Sequence, residues 1–146
     1  MDQPTFESRF TAPTAEEFIN LRDQIGWGEM DLTLAKASLD NSLFHVTMYK
    51  DNKLAAMGRV VGDGYMYFYI QDVVVSPEHQ GTGLGNQIMQ HIEEYLSKTV
   101  KVGATVGLLA AKGKEGFYRR YDYLERSGSP LGLGMCKFIT HEMTPD

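Results

Sequence analysis

Ile70-Gln71-Asp72-Val73-Val74-Val75-Ser76-Pro77-Glu78-His79-Gln80-Gly81-Thr82-Gly83-Leu84-Gly85-Asn86-Gln87-Ile88 reads as a strand, a loop and the start of a helix. Residues 65–75, aromatic and then β-branched, suit a central strand covered on both faces. Pro77 stops it, because proline has no N–H to give a ladder. Beyond the glycines, Leu84, Ile88, Ile92 and Leu96 recur at helical spacing, with Met89 and Tyr95 widening the stripe, so a core-facing helix is predicted. A glycine-rich turn therefore sits on a helix N-terminus, where unpaired N–H groups and the positive end of the dipole bind anions, phosphates above all. Gly81, Gly83 and Gly85 remove the Cβ atoms that would hold a pyrophosphate off the backbone, and Gln80 and Thr82 add side-chain donors.

Two familiar phosphate motifs do not fit. A P-loop needs Gly-Lys-Ser/Thr at the end of the turn, and here Gly85 is followed by Asn86 and Gln87. A dinucleotide fingerprint counted from Gly81 finds Asn86 at its last glycine and no acidic residue at the required distance. The hexamer Gln80-Gly81-Thr82-Gly83-Leu84-Gly85 instead resembles the acetyl-CoA signature of the GNAT superfamily of N-acetyltransferases, Q/R-x-x-G-x-G/A, through Gln80, Gly83 and Gly85. The strand, Ser-Pro-Glu loop and amphipathic helix around it stand in the order the family uses.

The rest of the chain supplies compatible elements. Phe6 to Thr11 is a short first strand; Pro13-Thr14 opens a helix with Phe18, Leu21 and Ile25 on one face, ending at Gly26. Asp31 caps a second helix over Leu32 to Leu39. Ser42 to Lys50 and Leu54 to Gly62 form an antiparallel meander with the central strand, through turns at Asp51-Asn52 and Gly62-Asp63-Gly64. Lys101 to Ala110 is the next strand, Lys114 to Tyr121 a short helix, and Gly132 to Thr140 a last, edge strand after the Ser127-Gly128-Ser129-Pro130 turn. At 146 residues this makes a single domain, residues 1–146. The fold class expected from the resemblance is α/β (α+β): a mixed, mainly antiparallel sheet with a splayed parallel strand pair, flanked by helices.

Composition sets further expectations. A net charge of −5 argues against a nucleic-acid surface. The single cysteine, Cys136, excludes an internal disulfide and fits a reducing compartment, and His45, His79, His91 and His141 give no metal spacing. Met1-Asp2-Gln3-Pro4 has neither the basic nor the apolar region of a leader, and no stretch approaches a membrane span, so a soluble cytoplasmic protein with no membrane partner is expected.

The resemblance implies site roles. Acetyl-CoA would lie with its pantetheine arm along Val73, Val74 and Val75, the backbone of Val73 and Val75 pairing with its amides and an N–H near Val74 meeting the thioester carbonyl. Its pyrophosphate would rest on Gln80 through Asn86. Downstream, Phe117-Tyr118 resembles the family's FY-x-x-x-G-F helix, with Asp122 where glycine and Tyr123 where phenylalanine are usual. Tyr118 would protonate the leaving thiolate, and Lys114 is either a phosphate contact or a solvated side chain. Asp72 and Glu29 are the candidates to accept the amine proton. Trp27 and Glu29 would hold an ammonium, and Tyr67 and Tyr69, on one strand face with Tyr65, are either core or pocket wall. The expected activity is transfer of acetyl from acetyl-CoA to a primary amine, a small molecule, by direct attack in a ternary complex; a protein-lysine acetyltransferase and a non-catalytic acyl-CoA-binding module are the alternatives. A homodimer through the last strand is expected.

Overall fold

The first two helices begin where their caps are written. The computed structural model describes residues 5–143; the opening Met1–Pro4, read for a leader, lies outside them. Thr14 caps α1 (Ala15–Gln24) with a capping box: Thr14 Oγ1 accepts from Glu17 N at 3.1 Å and Glu17 Oε1 accepts from Thr14 N at 2.9 Å. Asp31 caps α2 (Leu32–Asp40), its Oδ2 accepting from Leu34 N at 2.9 Å, as predicted.

The chain divides into two units, one ending at Leu108 and one beginning at Leu109. In the first, five strands form one sheet in sequence order: β1 (Glu7–Arg9), β2 (Phe44–Lys50), β3 (Lys53–Gly62), β4 (Tyr67–Val75) and β5 (Thr105–Leu108). All neighbours are antiparallel except β4 and β5, joined by α3 (Leu84–Thr99). This is the predicted mixed sheet with one parallel pair. The β2–β3 turn places Asp51 and Asn52 at φ +52° and +62°, the two left-handed positions of a tight hairpin.

Two helical layers cover the sheet. On one face α1 and α2 bury Phe18, Leu21, Ala35 and Leu39 against Met57 and Val74. On the other, the predicted stripe of α3 is buried at Leu84, Ile88, Met89, Ile92 and Leu96, and Tyr95 stacks on Phe44 with ring centres 4.5 Å apart. Gly58 on β3 lets that helix approach, since a Cβ there would stand 2.6 Å from Ile88 Cγ2 and 3.0 Å from Ile92 Cδ1.

The second unit carries α4 (Glu115–Arg119), shorter than the predicted Lys114–Tyr121. Asp122 follows at φ +68°, the left-handed turn where the family pattern has glycine. The expected last strand is corrected here: Gly132 to Thr140 carries no strand among the described residues, and Leu133, Met135, Phe138 and Ile139 are exposed. Leu-Gly-Leu-Gly-Met mimics strand alternation, but glycine at every second position leaves one face with nothing to pack and raises the entropy cost of extension. The edge that was to carry a homodimer is therefore not a strand.

Candidate functional site

β4 does not pass its partner evenly. Met57 pairs with Val74 and Arg59 with Gln71, so Asp72 and Val73 together oppose Gly58 in a β-bulge. Asp72 takes φ +57°, a conformation aspartate tolerates better than most residues. Residues directly opposite in an antiparallel pair share a face. Phe44, Val60 and Ile70 therefore lie on the α3 face, and His45, Arg59 and Gln71 on the α1–α2 face. Asp72 joins the second set: its carboxylate accepts from Arg59 Nε at 2.8 Å, Arg22 Nη1 at 3.2 Å and Gln71 Nε2 at 3.3 Å. Two consecutive residues thus face one layer, and the strand changes phase between them.

That change decides which backbone groups face outward. Ser76 N donates to Ala55 O at 2.8 Å, and alternation then turns the N–H and C=O of Val75 and Val73 to the opposite edge. Pairing with β5 ends at Ile70 and Leu108, so no strand lies beyond Val73–Val75 among the described residues. The Val74 backbone turns towards β3 and its side chain packs with Phe18, Leu21 and Met57. The outward donors therefore belong to Val73 and Val75 rather than to Val74.

The strand end leads into the glycine turn. Gln80 Nε2 donates to the Val75 carbonyl at 3.2 Å, and the Thr82 hydroxyl donates to the His79 carbonyl. Both side-chain donors assigned to a ligand are used within the protein, Gln80 to tie the loop to the strand and Thr82 to close the loop on itself. Gly81 and Gly83 sit at φ +79° and +89°, and a Cβ on either would meet no protein atom within 4 Å. The outer side of the turn is open, in the space a larger residue would fill. Gly83 caps α3 without a side-chain bond, so the first N–H groups of a long helix, from Leu84 on, have no helical partner. The buried Leu84 side chain anchors that turn, and Gly85 and Asn86 complete it. These residues fit a diphosphate-bearing group with an amide-containing arm.

Asp72 is placed otherwise than the sequence suggested. Its side chain is 1% exposed and its oxygens are taken by two guanidinium groups, so it is not open to an acceptor amine. The partners of Asp72, Arg22 and Arg59, are not among the residues that the sequence motifs single out. A signal for Arg59 existed: it is a lone charge within the apolar run Leu54–Val61 and requires a buried partner. Glu29 is exposed in the loop after α1 and, with Glu16 and Asp23, lines a groove of about 500 Å³ that Ile19, Met30 and Leu32 also border. The Trp27 ring is met by Arg22, whose guanidinium carbon lies 5.3 Å from its centre. Tyr67 is exposed, like Tyr65, and Tyr69 half-buried, so neither Tyr65 nor Tyr67 is core. In the second unit, Tyr118 lies half-buried in α4 with its ring 5.0 Å from Phe117, and Lys114 occupies the N-cap position. Among the described residues no group of His, Cys, Asp and Glu is arranged to hold a metal ion, and no helix is long and apolar enough to cross a membrane.

Comparison with known proteins extends this geometry. The family model of the acetyltransferase (GNAT) domain matches residues 27–144. A ycf52-like N-acetyltransferase of Prochlorococcus marinus is 30% identical over 118 residues, 77% of this chain and 64% of that protein. GCN5-related N-acetyltransferase 1, chloroplastic, of Arabidopsis thaliana is 32% identical over 117 residues, 79% of this chain and 57% of that protein. The chain thus spans less than two thirds of the length of either. Among solved structures, a probable acetyltransferase from meticillin-resistant Staphylococcus aureus is 29% identical with a TM-score of 0.83, covering 91% of this chain and 100% of that one. Glucosamine-6-phosphate N-acetyltransferase of Arabidopsis thaliana, 18% identical with a TM-score of 0.66 over 92% of this chain and 98% of its own, shares the fold.

Proposed function

The chain belongs to the GNAT family of acetyltransferases, and from that premise we propose that it moves the acetyl group of acetyl-CoA onto the primary amine of a small molecule, by direct attack in a ternary complex. One observation carries this reading. The outward edge of β4 at Val73 and Val75 runs, through a loop tied back by Gln80, into the uncapped N-terminus of α3 at Gly83. An extended arm bearing amides suits the first as an added strand, and a pyrophosphate suits the second.

The donor supplies an activated acetyl carbon. In the reaction the amine nitrogen bonds to that carbon and the C–S bond breaks, while the amine gives up a proton and the thiolate takes one. An outward N–H of Val73 or Val75 is the donor for the carbonyl oxygen. Tyr118 gives the proton to sulfur, a task open to a phenol with an ordinary pKa of about 10. With the Asp72 oxygens occupied, Glu29 is the one of the two candidate carboxylates left to accept the amine proton. The groove lined by Glu16, Asp23 and Glu29 beside Ile19 and Met30 supports a cationic amine with an apolar body.

Calorimetry with CoA and thiol release from acetyl-CoA, against small amines and lysine peptides, test the reading. Binding and turnover with small amines are expected; turnover confined to peptides would favour a protein acceptor, and binding without turnover the non-catalytic module. Tyr118→Phe keeps the ring and removes the proton donor, so kcat should fall about 10²- to 10⁴-fold with CoA affinity little changed. A variant that keeps more than about half of kcat, with chemistry rate-limiting, makes Tyr118 a packing residue.

A further inference from the structure

One carboxylate ties together elements distant in the sequence. Asp72 holds Arg59 of β3 and Arg22 of α1, and their side chains are only 8% and 17% exposed. Arg59 spends its other nitrogens on the C-terminal end of α2: Nη1 donates to the Ser38 carbonyl and the Ser42 hydroxyl, and Nη2 to the Ser38 hydroxyl. Every nitrogen of that guanidinium is bonded. The same is not true of Arg22, because its Nε–H is buried without a hydrogen-bond partner among the described residues. A small shift of Arg22 can gain a bond, whereas one of Arg59 can only lose them. Arg22 also sits 5.3 Å from the centre of the Trp27 ring, and Trp27 opens the loop whose Gly28 and Glu29 line the acidic groove.

A continuous line of contact therefore runs from the β4 bulge through Asp72 and Arg22 to Trp27. Its position at the bulge matters. An ion pair is a poor device for stability alone, since apolar residues of similar volume usually serve as well. Here it grips the residue next to the outward backbone of Val73, so a displacement on that edge is passed to the side chain that Arg22 holds. Packed salt-bridge networks on rigid elements carry such coupling.

We infer that Arg22 and Asp72 are positioning residues that keep the acceptor-side loop in register with the donor-side bulge, so that filling the donor edge is felt at Trp27. This rests on the acyl-CoA reading above. Neither side chain touches the reacting atoms; each acts through the backbone or ring it holds.

Trp27 is the one tryptophan of the sequence, and its emission reports the loop directly. CoA titrated into the wild-type protein should change that emission with a midpoint matching the calorimetric Kd. In Arg22→Gln the Asp72–Arg59 pair remains, so CoA should bind within about twofold of wild type while the emission change is lost. Arg22→Lys, which keeps a cation, should restore part of it, and also serves should the glutamine variant fail to fold by circular dichroism. Trp27 unmoved at CoA saturation in the wild type, or an Arg22→Gln response equal to the wild-type one, overturns the coupling. No calorimetric binding of CoA at all overturns the functional reading and this inference with it.

Discussion

Asp72 and Gly83 both leave the regular backbone at positive φ, on the same strand–turn–helix, and they do so by opposite means. Asp72 is held at +57° by bonds from its own side chain to Arg59, Arg22 and Gln71, deep between the sheet and the α1–α2 layer. Gly83 is free to take +89° because it has no side chain, and nothing stands where one would be. The bulge is a packed, charged device whose disturbance reaches the core. The turn is an open one, where an added side chain meets no neighbour and costs the protein only the strain of its positive φ. Stability and ligand affinity should therefore separate between the two.

The bulge provides the largest expected effect. Asp72→Ala leaves two largely buried guanidinium groups without a counter-charge, and removing one partner of a buried pair costs about 3–5 kcal/mol. Denaturant unfolding measures it, and a loss under about 1 kcal/mol would mean that the bulge is as open as the turn. Across the ladder, Gly58→Ala drives a methyl against Ile88 and Ile92 on α3. Overpacking of this kind costs about 1–3 kcal/mol, again as lost stability. Gly83→Val is the counterpart at the turn. CoA affinity should drop at least tenfold, about 1.4 kcal/mol, by calorimetry, while circular dichroism reports an intact fold. Equal affinity in that variant would remove the turn from the site.

The same contrast explains what was legible in the sequence. Glycine states its backbone freedom in its identity, so the turn at Gly81 and Gly83 and the α3 stripe from Leu84 to Leu96 were readable from spacing alone. The bulge was not, because burial along β4 keeps alternating through it: Phe68, Ile70, Asp72 and Val74 are all buried. The first two face α3 and the last two face α1 and α2, and a period-two pattern has no mark for that switch. In sequence Asp72 therefore reads as a candidate base, although its neighbours in space, Arg59, Arg22 and Gln71, occupy its oxygens. Gly132 to Thr140 failed for the converse reason, showing strand alternation without two faces to pack. The roles of Gln80 and Thr82 depended on loop closure, which brings His79 and Val75 carbonyls within reach of their side chains.

The smallest effect concerns acid and touches only the charged side of the comparison. His45 stands opposite Arg59 in the β2–β3 ladder. Its Nε2–H donates to the Leu39 carbonyl at 2.9 Å, and its Nδ1 is buried without a partner. Burial pushes its pKa below the ordinary 6.5; the Leu39 bond opposes this, Arg59 adds to it and Asp40 opposes it. With the folded value depressed, the unfolded chain takes the proton first as pH falls. Stability is then complete above about pH 6.5 and declines as pH drops through the folded value. A proton arriving on Nδ1 adds positive charge to the layer where Arg59 and Arg22 already share one carboxylate. Amide protection factors between about pH 7.5 and 5.5 should therefore fall around Asp72 and Arg59 before they fall in α3. His45→Gln keeps a donor for Leu39 and cannot titrate, so its unfolding midpoint should be flatter over the same range. If the variant has the wild-type slope, the acid sensitivity lies elsewhere and the bulge is no more pH-dependent than the glycine turn.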